Sequence, residues 1–261
     1  MMIALFAAKS VVIAGGTLLV LRFMRGRSAS DRSWIAHLGL AALAALPLGS
    51  VLFPRLDVTT SYASVLAKDA PIASAFPTQI AEAGWAQAAV DWLLLVYAVL
   101  ALFLIARTLL ALLRLVLLTA RARAVTEDHW LQALVQAQRR TGFTKSTALL
   151  ASREIASPVS WGALQPKILL NADAVAVRAD ADAILAHELA HVARADWAKL
   201  VLARVSIALF WFNPFAWLLA REAHQLREEA ADDAGWPRTS GTRSMRACSS
   251  APLACKAKAC C

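Results

Sequence analysis

Residues 180–197 read DADAILAHELAHVARADW, and within them His187-Glu188-Leu189-Ala190-His191 forms the pattern H-E-x-x-H. On an α-helix, positions i and i+4 share a face, so both imidazoles can reach one ion while Glu188 lies beside it. Zinc takes imidazole nitrogen at roughly 2.0–2.1 Å in tetrahedral sites, and a catalytic zinc keeps one position for water. Asp180 and Asp182 put acidic side chains where a helix N-terminus favours them, and no Pro or Gly follows until well past His191. The spacing therefore predicts a helix able to hold Zn2+ on His187 and His191 with Glu188 beside it, the arrangement of a hydrolase site.

The setting of this helix is unusually apolar. Hydrophobic residues make up 59% of 261 and the mean hydropathy is +0.55, against about 45–50% for ordinary soluble domains. A mostly α membrane protein is expected. Residues 2–21, 34–53 and 92–113 are each long enough to cross a hydrocarbon core of roughly 30 Å as a helix. The first has no basic region ahead of its apolar stretch and no clear cleavage site after it, so it reads as retained and not as a signal peptide. Between the first two segments lie Arg22, Arg25, Arg27 and Arg32 against Asp31, and the third is followed by Arg114, Arg121 and Arg123. Basic loops stay in the cytoplasm, so these positions face inward and the loop 54–84 faces outward, which puts the H-E-x-x-H helix on the cytoplasmic side.

The texture changes after residue 120. Trp130, Leu131, Leu134 and Val135 recur at helical spacing over 127–140, and Thr141-Gly142 ends the pattern. Short strands are expected at 147–151 and 168–170, separated by 157–162, a stretch with turn residues at both ends. A small mixed domain over 121–236 thus leads into the zinc helix, and an edge strand in it could hold an extended peptide.

A third metal ligand has to come from elsewhere. The run Arg227-Glu228-Glu229-Ala230-Ala231-Asp232-Asp233 lies in a segment free of Pro and Gly. On a helix Glu228 and Asp232 share a face, offering one carboxylate for a metal and a second to bond a ligating His. His224 lies one turn back on that face and is a candidate oxyanion donor. The apolar segment 200–220 stands between, and a full membrane crossing there would separate Glu228 from His187 and His191. Asn213-Pro214 offers a break, because proline disfavours helix at the residue before it. The segment is therefore expected to fold back as a hairpin, with Ala195 and Arg221 on the same side.

Four motifs in order, SPVSWGALQPKILL (157–170), HELAHVARADW (187–197), FWFNPFAWLL (210–219) and REEAADDA (227–234), resemble the membrane zinc metallopeptidases of the BlaR/MecR type. The resemblance covers residues 1 to about 236. It implies an integral peptidase of the bacterial inner membrane: three N-terminal transmembrane helices, a small α+β gluzincin-like domain and a fourth hydrophobic helical segment. It also implies that His187, His191 and Glu228 hold the zinc, that Glu188 is the general base, and that Asp232 supports a ligand from behind. Members that signal cut themselves or a cytosolic transcriptional repressor, so a peptide or protein substrate is the expected partner beside membrane lipid. Ala231 stands where relatives often carry Cys. No Ser-x-x-Lys motif is present, so β-lactam sensing is not expected. The same site chemistry also fits a quality-control or processing protease of the HtpX/Ste24 type, and a non-enzymatic transducer would have no use for Glu188.

The remaining stretch, 237–261, holds all four Cys and five basic residues with no acidic one, and reads as a disordered or frame-shifted tail. Cys248, Cys255, Cys260 and Cys261 match no standard metal spacing. Without aromatic or groove-reading motifs beside the basic charge, no direct nucleic-acid binding is expected.

Overall fold

The computed structural model describes residues 2–52, 83–162, 165–176 and 180–235. The tail expected at 237–261 and nearly all of the loop expected at 54–84 lie outside the described residues. Helices α1 (Met2–Phe23) and α2 (Ala29–Leu52) are joined by the short basic turn, and α3 (Ala83–Arg121) is a single helix of 39 residues, about 58 Å long at 1.5 Å per residue. The expected span 92–113 is the middle of this longer rod. Among the described residues two helices have the length and hydropathy of a membrane span, through Phe6–Phe23 and Gln87–Arg121. The expectation of three spans is thus met by two. Helix α2 forms where expected, but its first turn carries Asp31 and Arg32, and Ala36, Leu40 and Leu43 are fully buried against neighbouring helices. Helix α3 is the opposite: Leu102, Phe103 and Leu109 are each 60% or more exposed.

Past α3 the chain builds a small α+β unit. Helix α4 (Asp128–Thr141) ends as its sequence predicts, on Gly142, which adopts φ 66° and donates its N–H to the Gln138 carbonyl. Four short strands, β1 (Arg123–Ala124), β2 (Ala148–Ser152), β3 (Val159–Trp161) and β4 (Lys167–Asn171), form a sheet in the order β1-β2-β4-β3. Strands β2 and β4 run parallel and the two outer pairings are antiparallel. The 157–162 separator is thus itself a source of structure, with edge strand β3 at its centre. Two and three residues are too short to show a period-2 pattern, which is why β1 and β3 escape the sequence. Gly162 closes β3 at φ 97°, where a Cβ would sit 2.7 Å from the Gln165 carbonyl oxygen. Asn171 then caps the short helix α5 (Ala172–Ala176), its Oδ1 accepting the N–H groups of Asp173 and Ala174.

Helices α6 (Ala181–Ala193), α7 (Asp196–Leu209) and α8 (Pro214–Gly235) complete the chain. Two apolar cores result. Trp130, Leu134, Ile168, Leu170, Leu185 and Leu189 join α4, the sheet and α6. Leu21, Leu40, Leu43, Phe210, Leu219 and Leu226 join α1, α2, α7 and α8. Glycine permits a close approach of α1 and α2, because a Cβ on Gly39 of α2 would lie 2.5 Å from the Thr17 side chain of α1.

The α7–α8 break falls at the expected place. Pro214 occupies a first helical position, where its missing N–H costs nothing. The buried Asn213 accepts the Phe215 N–H on Oδ1 and donates Nδ2 to Ser10 Oγ of α1. Helix α7, with 14 residues, rises only about 21 Å, short of a ~30 Å hydrocarbon core. At the open end of the hairpin Arg194 Nη2 donates to the Arg227 carbonyl at 2.8 Å, so the chain leaves and returns at one end.

Candidate metal centre

Helix α6 presents His187 and His191 one turn apart, with ring centroids 4.7 Å apart and planes near perpendicular at 87°. Their Nε2 atoms lie 3.1 Å from one another. Helix α8, returned by the hairpin, brings Glu228 Oε2 to 3.9 Å from His187 Nε2 and 3.5 Å from His191 Nε2. Among the described residues these three form a group able to hold a metal ion.

The donor chemistry supports a cation. His187 Nδ1 lies 3.1 Å from Asp232 Oδ1, and His191 Nδ1 lies 2.7 Å from Asp196 Oδ2. With His191 Nδ1 bonded to Asp196 and His187 Nδ1 beside the Asp232 carboxylate, both Nε2 atoms and the Glu228 oxygen converge on one point, an electron-rich arrangement that a positive ion neutralises. Tetrahedral bonds of roughly 2.0–2.1 Å place ligand atoms about 3.3–3.4 Å apart, within the range of the three observed separations.

Each ligand is held from behind. Arg227 donates from Nη2 and Nε to Glu228 Oε1, at 2.8 and 3.3 Å, leaving Oε2 turned to the histidines. Burial raises the Glu228 carboxyl, but the Arg227 bond and the charges of His191, Arg227 and His224 outweigh it and hold the group below its ordinary value. His224 accepts from Arg227 Nη2 at 2.8 Å and is more than half exposed, with Nδ1 3.8 Å from Glu228 Oε1. Its ring therefore belongs to the exposed side of the Glu228–Arg227 pair. Asp232, itself exposed, meets His187.

The residues behind His191 went unread in the sequence. Asp196 is 2% exposed, and besides His191 it accepts from Arg194 Nη2 at 2.7 Å and Lys199 Nζ at 3.1 Å. Burial works against its charge; the bonds from His191 and Arg194 and the charges of Arg194 and Lys199 prevail and hold it well below the usual carboxylate range. The signal was present as an Asp five residues after the second His. Its use depends on Ala195, whose φ of 52° and ψ of 41° break α6 from α7 and turn Asp196 back beneath His191. A non-glycine residue in this region costs roughly 1–2 kcal/mol, here offset by the ion pairs it permits. Arg194, bonded to Asp196 and to the Arg227 carbonyl, ties the support of His191 to the helix that carries Glu228.

The metal-binding group lines a cavity of about 690 Å³ together with the buried Glu188. Pro158, Ser160 and Trp161 of the β3 segment form one wall, and Leu112 and Leu115 of α3 another. Trp161 Nε1 donates to Thr119 Oγ1 at 3.0 Å, fixing strand and helix together.

A paired-His helix, a carboxylate from a second helix and a neighbouring Glu beside an edge strand define the metallopeptidase class of site. The family model for the BlaR1 peptidase M56 matches residues 5–245, and the chain belongs to that family. It is also similar to the regulatory protein BlaR1 of Bacillus licheniformis, 33% identical over 91 residues, which are 34% of this chain and 15% of the relative. The matched stretch is thus a small part of that protein's length.

Proposed function

We propose that this chain is an integral membrane zinc endopeptidase that relays a signal by cutting a cytosolic regulator, itself, or both. The observation that carries the reading is the convergence of His187 Nε2, His191 Nε2 and Glu228 Oε2 beside Glu188 in one cavity. Helices α1, α2 and α3 are the membrane-spanning elements in this reading, and the α7–α8 hairpin enters without crossing. The basic turn between α1 and α2 meets the same end of the molecule as the site: Arg32 bonds Glu222 of α8 at 3.1 Å, and Lys199 Nζ lies 4.8 Å over the Trp34 ring. Arg121 and Arg123, at the foot of α3, adjoin the sheet. This shared basic end supports a cytoplasmic active site.

When bound, zinc supplies the Lewis acidity that activates water and polarises a peptide carbonyl. Glu188 takes the proton from the attacking water and returns it to the leaving amine. The outer edge of β3 pairs with the extended substrate backbone, and the apolar wall from α3 excludes water. Asp196 and Asp232 keep each imidazole in the tautomer that offers Nε2. The test is purified Glu188→Ala protein assayed with a candidate repressor and for self-cleavage. Zinc content should match the parent while cleavage stops, and cleavage at the parental rate would remove Glu188 from the mechanism.

A further inference from the structure

A second cavity, about 360 Å³, lies at the α1–α2 turn and shares no lining residue with the cavity of the candidate metal centre. Arg22, Arg25 and Arg32 line it, with Glu222 of α8 as the one acidic group, leaving an excess of two positive charges. Glu222 is engaged by Arg32 Nη2 at 3.1 Å. Arg32 Nε is buried and has no hydrogen-bond partner among the described residues. Gly15, Leu18 and Leu19 of α1 add an apolar stripe to the lining that leads at helical spacing to Arg22, and a Cβ at Gly15 would meet nothing within 4 Å. Guanidinium groups at the end of an apolar stripe suit a ligand with an anionic oxygen cluster on a hydrocarbon stem.

We propose that this cavity binds the phosphate of an anionic membrane phospholipid such as phosphatidylglycerol. Arg22 and Arg25 grip the phosphodiester, Arg32 adds its positive charge to the same end, and the acyl chains run out along Leu18 and Leu19. The volume takes a headgroup and not the chains, which fits a lipid left embedded in its leaflet. Basic clusters next to membrane helices select anionic lipids in the cytoplasmic leaflet, the side on which the positive-inside rule puts this turn. The proposal rests on α1 and α2 being membrane helices and is independent of the zinc chemistry.

The test is full-length protein reconstituted into nanodiscs of equal phosphatidylglycerol and phosphatidylcholine, with retained lipid read by native mass spectrometry. Reconstitution itself tests the membrane reading, separately from the site. The parent should retain phosphatidylglycerol over phosphatidylcholine, and Arg22→Gln/Arg25→Gln should weaken that retention about tenfold. Arg139→Gln/Arg140→Gln, on exposed α4, should leave it unchanged. Gly15→Leu, which fills the cavity and removes no charge, should lower retention and guards against a charge variant that fails to fold. Equal retention by the parent and the arginine and glycine variants would overturn the site. Displacement of the lipid by millimolar inorganic phosphate would show a site for free phosphate and overturn the lipid assignment.

Discussion

Asp196 stands behind His191 of the candidate metal centre and is not itself one of its three ligand candidates. Its carboxylate accepts from His191, Arg194 and Lys199 while almost wholly buried. Asp196→Asn removes the charge that orients His191 and should weaken zinc binding about 10–100-fold, measured by chelator competition. Asp232→Asn should cost less, because Asp232 is exposed where it meets His187. The carboxyl of Asp196 has a depressed pKa in the folded state. Its stabilisation is therefore present above the unfolded value of about 3.9 and is lost as pH falls through the folded value. In metal-free protein the stability gap between the parent and Asp196→Ala should be full at neutral pH and shrink only below about pH 4. At this scale the sequence was half legible. His187, Glu188 and His191 stand out by spacing on one helix, whereas Glu228 is picked from the acidic run 227–233 only through the family resemblance. Asp196, Arg194, Arg227 and Lys199 did not stand out, because their convergence needs the left-handed Ala195 and the contact of two helices distant in sequence.

The hairpin of α7 and α8 is the element that turns two distant motifs into one site. Asn213 caps α8 and bonds Ser10, so it anchors the fold-back to α1. Asn213→Ala should lower stability by about 1–2 kcal/mol in thermal unfolding, from the lost cap and the lost bond to the buried Ser10 oxygen, whose hydroxyl keeps its own bond to the Ala7 carbonyl. Helix α2 touches both arms near the metal centre, through Trp34 over Lys199 and Arg32 on Glu222. The chain Trp34–Lys199–Asp196–His191 thus runs from helix α2 to a candidate metal ligand. Lys199→Met should lower zinc affinity in the same direction as Asp196→Asn, and less, since Arg194 still holds the carboxylate. Proline and asparagine in an apolar run made the hairpin legible. Strand β3 was not, since an edge strand of three residues carries no periodic signal.

For the whole molecule, the separate cores place an α+β unit against a helical bundle, with the metal centre where α6 meets α8. Composition and loop charge foretold a helical bundle with its basic end beside the site. They did not reveal how closely α2 is packed by its neighbours, because burial of its Ala36, Leu40 and Leu43 is not a property of one segment's hydropathy. Single cysteines at Ser28, in the α1–α2 turn, and at Ser152, in β2, can be placed in a chain whose own four Cys are replaced by Ser. Both should be shielded from membrane-impermeant thiol reagents in intact cells and labelled in inverted vesicles. Labelling of one site on each face would place the basic turn and the sheet on opposite sides of the membrane.

The most direct measurement is metal analysis of the purified chain alongside His187→Ala, His191→Ala and Glu228→Ala proteins that keep their helical content. A His₂Glu centre on α6 and α8 should give about one zinc per parent chain and a large loss in each variant. Parent protein without bound zinc, or zinc retained in full after Glu228→Ala, would contradict a centre completed by the returning helix.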